Sequence, residues 1–183
     1  GFRVTTSTGT HTALRVILAT GTRGSPRKLR GVPGNDLEKI RYQLVDPDVH
    51  QGESVVIVGG GNSALEAAIA VAKVEGANND VRLIYRKDSF ARASQKNVDE
   101  LNALAESGQI TLHLNSNPVE VTDDSISIED NEGNRTTEKN NYVYCMLGAE
   151  PPTKWLTSIG ITYSDKPQGW SPGPTDDMSF LPG

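Results

Sequence analysis

The sequence predicts an α/β fold of three layers, with a central parallel sheet and an antiparallel β-meander. Three observations carry this. Apolar strand patterns and helix-forming segments alternate over residues 54–114, the order of a parallel sheet with crossover helices. The stretch VVIVGGGNSALEAA, residues 55–68, is a buried-strand pattern that breaks into three glycines and resumes as helix. Beyond Asn117 the chain turns to short segments, VEVTDD and SISIED, with an Asn-Glu-Gly-Asn turn, as antiparallel strands require.

Taken in order, Phe2 and Val4, a Thr/Ser/Gly turn and the run ALRVILA at 13–19 predict a β-hairpin whose second arm is fully buried. Glycines and prolines in ATGTRGSPRKLRGVPGND, residues 19–36, mark an irregular connector. Residues 36–46 read as a short helix stopped by Pro47, and 54–58 as the next strand. A helix over 62–74 follows, with apolar groups at 65, 68, 69 and 72. The turn GANND leads to a strand at 81–85 (VRLIY). Residues 94–107 form a second helix, with Ser94 as N-cap and Gly108 as its stop. ITLHL, 110–114, is the third strand of the series. The meander closes on a last buried strand, YVYCML, at 142–147, and from about Thr162 the tail is irregular.

The totals exclude several classes. A chain of 183 residues suits one ordinary domain with an appendage, and with 36% apolar and 5% aromatic residues its core is packed by branched aliphatics. No run approaches the length of a membrane span, and the N-terminus lacks a signal-peptide pattern. A net charge of -5 with scattered cations argues against a nucleic-acid surface. The single cysteine, Cys145, sits in an apolar strand and reads as a small core residue, so neither an internal disulfide nor a C-x-x-C pair exists. The histidines, at 11, 50 and 113, lack zinc-ligand spacing. The expected compartment is cytoplasmic.

The chemistry lies in the glycines. Gly59-x-Gly61-x-x-Ala64 ends a strand and opens a helix, the context that gives this pattern meaning. The first glycine permits the tight turn and the second brings backbone to a pyrophosphate. The third position must be small so that helix and strand can pack, and the helix N-terminus favours the negative charge. The domain is therefore read as Rossmann-like. The residue type at the end of the second strand selects the nucleotide. A carboxylate there would hold a ribose hydroxyl; the sequence instead has Tyr85, Arg86 and Lys87, with Arg92 further on, which suits a 2′-phosphate and hence NADP(H). Asp88 lies beyond the strand end.

VVIVGGGNSALEAA followed by VRLIYRKDSFARA resembles the NADPH-binding domain of thioredoxin reductase-like flavoproteins, in the pyridine nucleotide-disulfide oxidoreductase superfamily. RVILATGTRGSPRKLRGVPGND is similar to the connector by which such chains leave the FAD domain. YVYCMLGAEPPTKWLTSIGI is similar to the strand and loop by which they return to it. Together the likeness covers about residues 12–161. It implies Gly59, Gly60, Gly61, Asn62 and Ser63 around the pyrophosphate, and Arg86, Lys87 and Arg92 at the 2′-phosphate beside Tyr85. It places Gly148 near the nicotinamide, and Thr20 and Gly21 in a turn approaching the flavin. Glu66 matches a family position, and as a helix residue its plain reading is that it helps orient the turn. Two departures stand out: Tyr85 replaces a histidine, and no cysteine occurs between Val32 and Ser54, so a dithiol relay is absent.

The resemblance implies a division into 1–35, a remnant of an FAD-domain hairpin and connector; 36–161, the NADP-binding domain; and 162–183, the irregular tail. The expected function is delivery of hydride from NADPH to FAD held by a domain absent from this chain, whose own residues supply no acid, base or nucleophile. The expected partners are NADPH, that FAD domain, an electron acceptor of undetermined identity and a second copy in a homodimer. A free-standing NADP-binding or redox-sensing module is the alternative.

Overall fold

The computed structural model describes residues 1–19, 26–148 and 153–160. The chain divides into two compact units, Gly24–Glu150 and the pair of terminal segments Gly1–Arg23 and Pro151–Gly183. In the terminal unit, β1 (Phe2–Thr6) and β2 (Gly9–Ala13) form an antiparallel hairpin in which Thr6 faces Gly9. The Thr6 hydroxyl stitches the turn, donating to the Gly9 carbonyl at 3.0 Å and accepting from the Thr8 N–H at 3.3 Å. The hairpin is as expected, but its second arm is not. Pairing ends at Ala13, and the residues that were to form a buried arm are exposed, Leu14 at 88% and Ile17 at 91%. Apolar composition makes a buried strand only where a ladder and a second layer receive it, and among the described residues neither does.

The larger unit holds the site. Its first strand, β3 (Ile40–Arg41), lies where a short helix was expected over 36–46. Single turns, Leu37 N–H to the Gly34 carbonyl and Ile40 N–H to the Leu37 carbonyl, replace helical repetition. Ile40, β-branched and buried, then pairs with the sheet, so a tertiary ladder overrides the local pattern. A 3-10 turn at Pro47–Val49, capped by the Asp46 carboxylate, leads into β4 (Ser54–Val58). Next come α1 (Asn62–Ala72), β5 (Asp80–Ile84), α2 (Gln95–Glu106) and β6 (Ile110–His113). As read from sequence, Ser94 caps α2, its hydroxyl accepting from the Asn97 N–H, and Gly108 leaves the helix with φ +76°.

The meander is β7 (Ser116–Val121), β8 (Ser125–Asp130) and β9 (Arg135–Lys139), an antiparallel sheet of its own. Its third strand, RTTEK, lacks apolar alternation and was not expected. The last strand, β10 (Tyr142–Cys145), closes no meander: it inserts between β3 and β4, parallel to both. The central sheet is therefore β3-β10-β4-β5-β6, entirely parallel.

Three layers result, because β4 is apolar on both faces. Val55 and Ile57 join Val81, Leu83 and Tyr144 against α1 and α2; Val56 and Val58 join Ile84, Val143 and Cys145 against Ile126 and Ile128 of the meander. His50, 1% exposed, ties the loop before β4 to the sheet, with Nδ1 2.7 Å from a Glu53 carboxylate oxygen and Nε2 2.8 Å from the Tyr144 hydroxyl. In the terminal unit, α3 (Thr153–Ser158) is a short helix. No helix among the described residues is long and apolar enough to cross a membrane. The tail from Thr162 lies outside the described residues.

Candidate functional site

Parallel strands end together, and the crevice beyond their carboxyl ends is where an open α/β sheet receives ligands, at the point where strand order reverses. Here the chain runs from β4 to β5 and β6 on one side, while β10 and β3 lie on the other. A cleft of about 1030 Å³ opens at that place.

The glycine turn forms its floor, and its three glycines differ. Gly59 has φ +150°, and a Cβ there would lie 2.4 Å from the Met146 carbonyl oxygen and 3.0 Å from the Ala64 Cβ. Its N–H donates to the Ile84 carbonyl, which joins the turn to β5. A Cβ at Gly60 would sit 2.2–2.4 Å from ring atoms of Tyr85. A Cβ at Gly61 would meet nothing within 4 Å, so this backbone borders open space. Gly61 is also the N-cap of α1 and supplies no side-chain cap; the Ala64 N–H is taken by the Gly61 carbonyl, and the uncapped N–H groups are those of Asn62 and Ser63, two residues that line the cleft. The arrangement presents unscreened donors and the positive end of a helix dipole to an anion.

Around the turn, side chains hold the frame. The Asn62 carboxamide oxygen accepts from the Ser94 N–H at 2.7 Å and from the Asn97 side chain at 3.2 Å, locking α1 to the start of α2. Glu66 accepts from the same Asn97 amide at 3.0 Å, so it braces the two helices and does not line the cleft. Tyr85 stacks on Phe90 with centroids 5.3 Å apart. Its backbone is fixed by the His113 carbonyl and the Ser116 N–H.

Every described residue expected at the site lines this one cleft: Gly59, Gly60, Gly61, Asn62, Ser63, Tyr85, Arg86, Lys87, Arg92 and Gly148. Thr20 and Gly21 lie outside the described residues. Arg86, Lys87 and Arg92 are exposed, and Asp88 is absent from the lining. Sequence reasoning missed the opposite wall, where Arg27, Lys28, Arg30 and Arg41 add their charge. The basic run PRKLR was legible, but only the bond from the Arg27 N–H to the Gly148 carbonyl, 3.0 Å, brings it to the strand ends. Among the described residues, no aspartate or glutamate lines the cleft. Cys145 borders it with a buried thiol, whose pKa burial pushes up to about 12, so it stays protonated as a core residue.

A family model described as pyridine nucleotide-disulphide oxidoreductase matches residues 1–180. The chain is 30% identical over 161 residues to a bacilliredoxin reductase of Bacillus subtilis (strain 168), covering 87% of this chain and 48% of that protein. It is 30% identical over 157 residues to a ferredoxin–NADP reductase of Ignicoccus hospitalis, covering 82% of this chain and 48% of that one. The solved thioredoxin reductase of T. acidophilum shares its fold with a TM-score of 0.68 at 25% identity, over 90% of this chain and 54% of that one. The chain thus spans about half the length of the curated relatives it matches.

Proposed function

The chain belongs to the pyridine nucleotide-disulphide oxidoreductase family, and on that premise we propose that its Gly24–Glu150 unit is an NADPH-binding domain, serving FAD held elsewhere in the whole protein. The observation that supports this best is the cleft: ten residues chosen from sequence converge on it, and no carboxylate of the described residues accompanies them. A nicotinamide dinucleotide fits the donor set. The pyrophosphate takes the N–H groups at Gly61 and the start of α1; the 2′-phosphate takes Arg86, Lys87 and Arg92. A ribose hydroxyl would need an acceptor, and Asp88 is not in the lining to provide one.

Bound here, NADPH supplies a hydride for the flavin; the residues of this chain bind and orient it. The reading assigns them no acid, base or nucleophile, and the one thiol, Cys145, is buried with its pKa pushed up to about 12. A dithiol relay of electrons is therefore no part of the proposal. The terminal electron acceptor is outside this chain, and the exposed apolar run Leu14, Val16, Ile17 and Leu18 is the segment proposed to continue into the FAD-holding domain.

Replacing Arg86 and Lys87 by alanine tests the assignment. It should weaken NADPH by about 2–4 kcal/mol, at roughly 1–2 kcal/mol per charge-assisted contact, and leave NADH nearly unaltered. Equal losses for both dinucleotides would contradict the 2′-phosphate role.

A further inference from the structure

Beyond the cations assigned to the phosphates, the cleft holds a second group. Arg27 and Lys28 on the connector and Arg41 on β3 line the same cleft as the glycine turn, on its β10 and β3 side. Their backbone is fixed. The Arg27 N–H is bonded to Gly148, Leu29 is buried in the core beneath the meander, and Arg41 lies beside Tyr144 of β10. The Arg41 guanidinium donates to the Glu38 backbone carbonyl, and no carboxylate of the described residues forms an ion pair with any of the three.

Strand order says what reaches this wall. The basic cluster after β5 and the glycine turn after β4 fix one half of a dinucleotide. The other half must continue over β10 and β3, each strand displaced by roughly 4.8 Å from the last. That half carries the nicotinamide, a ring that is neutral when reduced and bears one positive charge when oxidised. We infer that Arg27, Lys28 and Arg41 make the cleft selective for the redox state of its ligand, favouring NADPH over NADP⁺ by repelling the oxidised ring. This rests on the NADPH reading. The phosphates are common to both forms, so Arg86 and Lys87 raise both affinities alike and the wall alone discriminates. Transfer of the hydride to the flavin of the whole protein would then turn a well-held ligand into a repelled one, which speeds its exchange.

The test is calorimetric titration of the chain with NADPH and with NADP⁺. At low ionic strength NADPH should bind about tenfold more tightly, the scale of one repulsion across a partly enclosed cleft. Lys28→Gln with Arg41→Gln, which leaves only Arg27 of the three, should narrow the gap between the two affinities. Arg86→Gln with Lys87→Gln should weaken both and leave their ratio unchanged. High salt should narrow the ratio in the unaltered protein, a readout that needs no variant to fold. A ratio near one, or one indifferent to both salt and the Lys28/Arg41 pair, overturns the inference while the dinucleotide site stands. Binding of neither form overturns both.

Discussion

Three consecutive glycines occupy three different environments, so one substitution should give three outcomes. Gly59→Ala forces a Cβ against the Met146 carbonyl at a φ of +150°, and Gly60→Ala forces one into the Tyr85 ring. Each should destabilise by about 1–3 kcal/mol, read as a lower denaturant midpoint. The loss at Gly60 should shrink when Tyr85 is also alanine, because the obstacle is then gone. Gly61→Ala meets open space and should leave the midpoint unchanged, yet lower dinucleotide affinity at least about tenfold by filling the place of the pyrophosphate. Cys145, with its pKa pushed up to about 12, should resist thiol reagents at neutral pH until the chain unfolds. A rapidly labelled native thiol would contradict its placement in the core.

At the level of elements, legibility followed how locally each element is determined. The run β4-α1-β5-α2-β6 was readable because its strands are continuous apolar segments, its helices are runs of good helix formers, and α2 carries its own cap and stop, Ser94 and Gly108. β3 was not, since two residues become a strand only by pairing with β10, a partner about a hundred residues away. β9 has no apolar face of its own and is held by its ladder to β8. The hairpin arm beyond Ala13 failed for the opposite reason: its composition called for burial that the described residues do not supply. The strand β6 carries a pH dependence. Burial lowers the pKa of His113 below its usual 6.5, with Arg82 acting in the same direction and Glu138 opposing. The unfolded chain then binds the proton more readily. Stability present above pH 6.5 is lost as the pH falls below that value. Urea midpoints at neutral and mildly acidic pH should show this loss, and His113→Gln should reduce it. Identical pH profiles for the two proteins would contradict it.

For the whole molecule, the fold class was legible in the sequence, and so was one part of the cleft's lining. The glycine turn and the Tyr85-Arg86-Lys87 end are contiguous motifs, and a parallel sheet must bring such strand ends together. The far wall of Arg27, Lys28, Arg30 and Arg41 comes from a connector and a two-residue strand, so no spacing in the sequence announced it. The chain spans about half of its curated relatives, and the cleft is the part of the proposed enzyme that can be assayed on this chain as it stands. The most direct measurement is a calorimetric titration of the unaltered chain with NADPH and, separately, with NADH. The account predicts saturable binding of NADPH at one site, with NADH weaker by about 2–4 kcal/mol for want of the 2′-phosphate contacts. Equal affinities, or tighter binding of NADH, would contradict it.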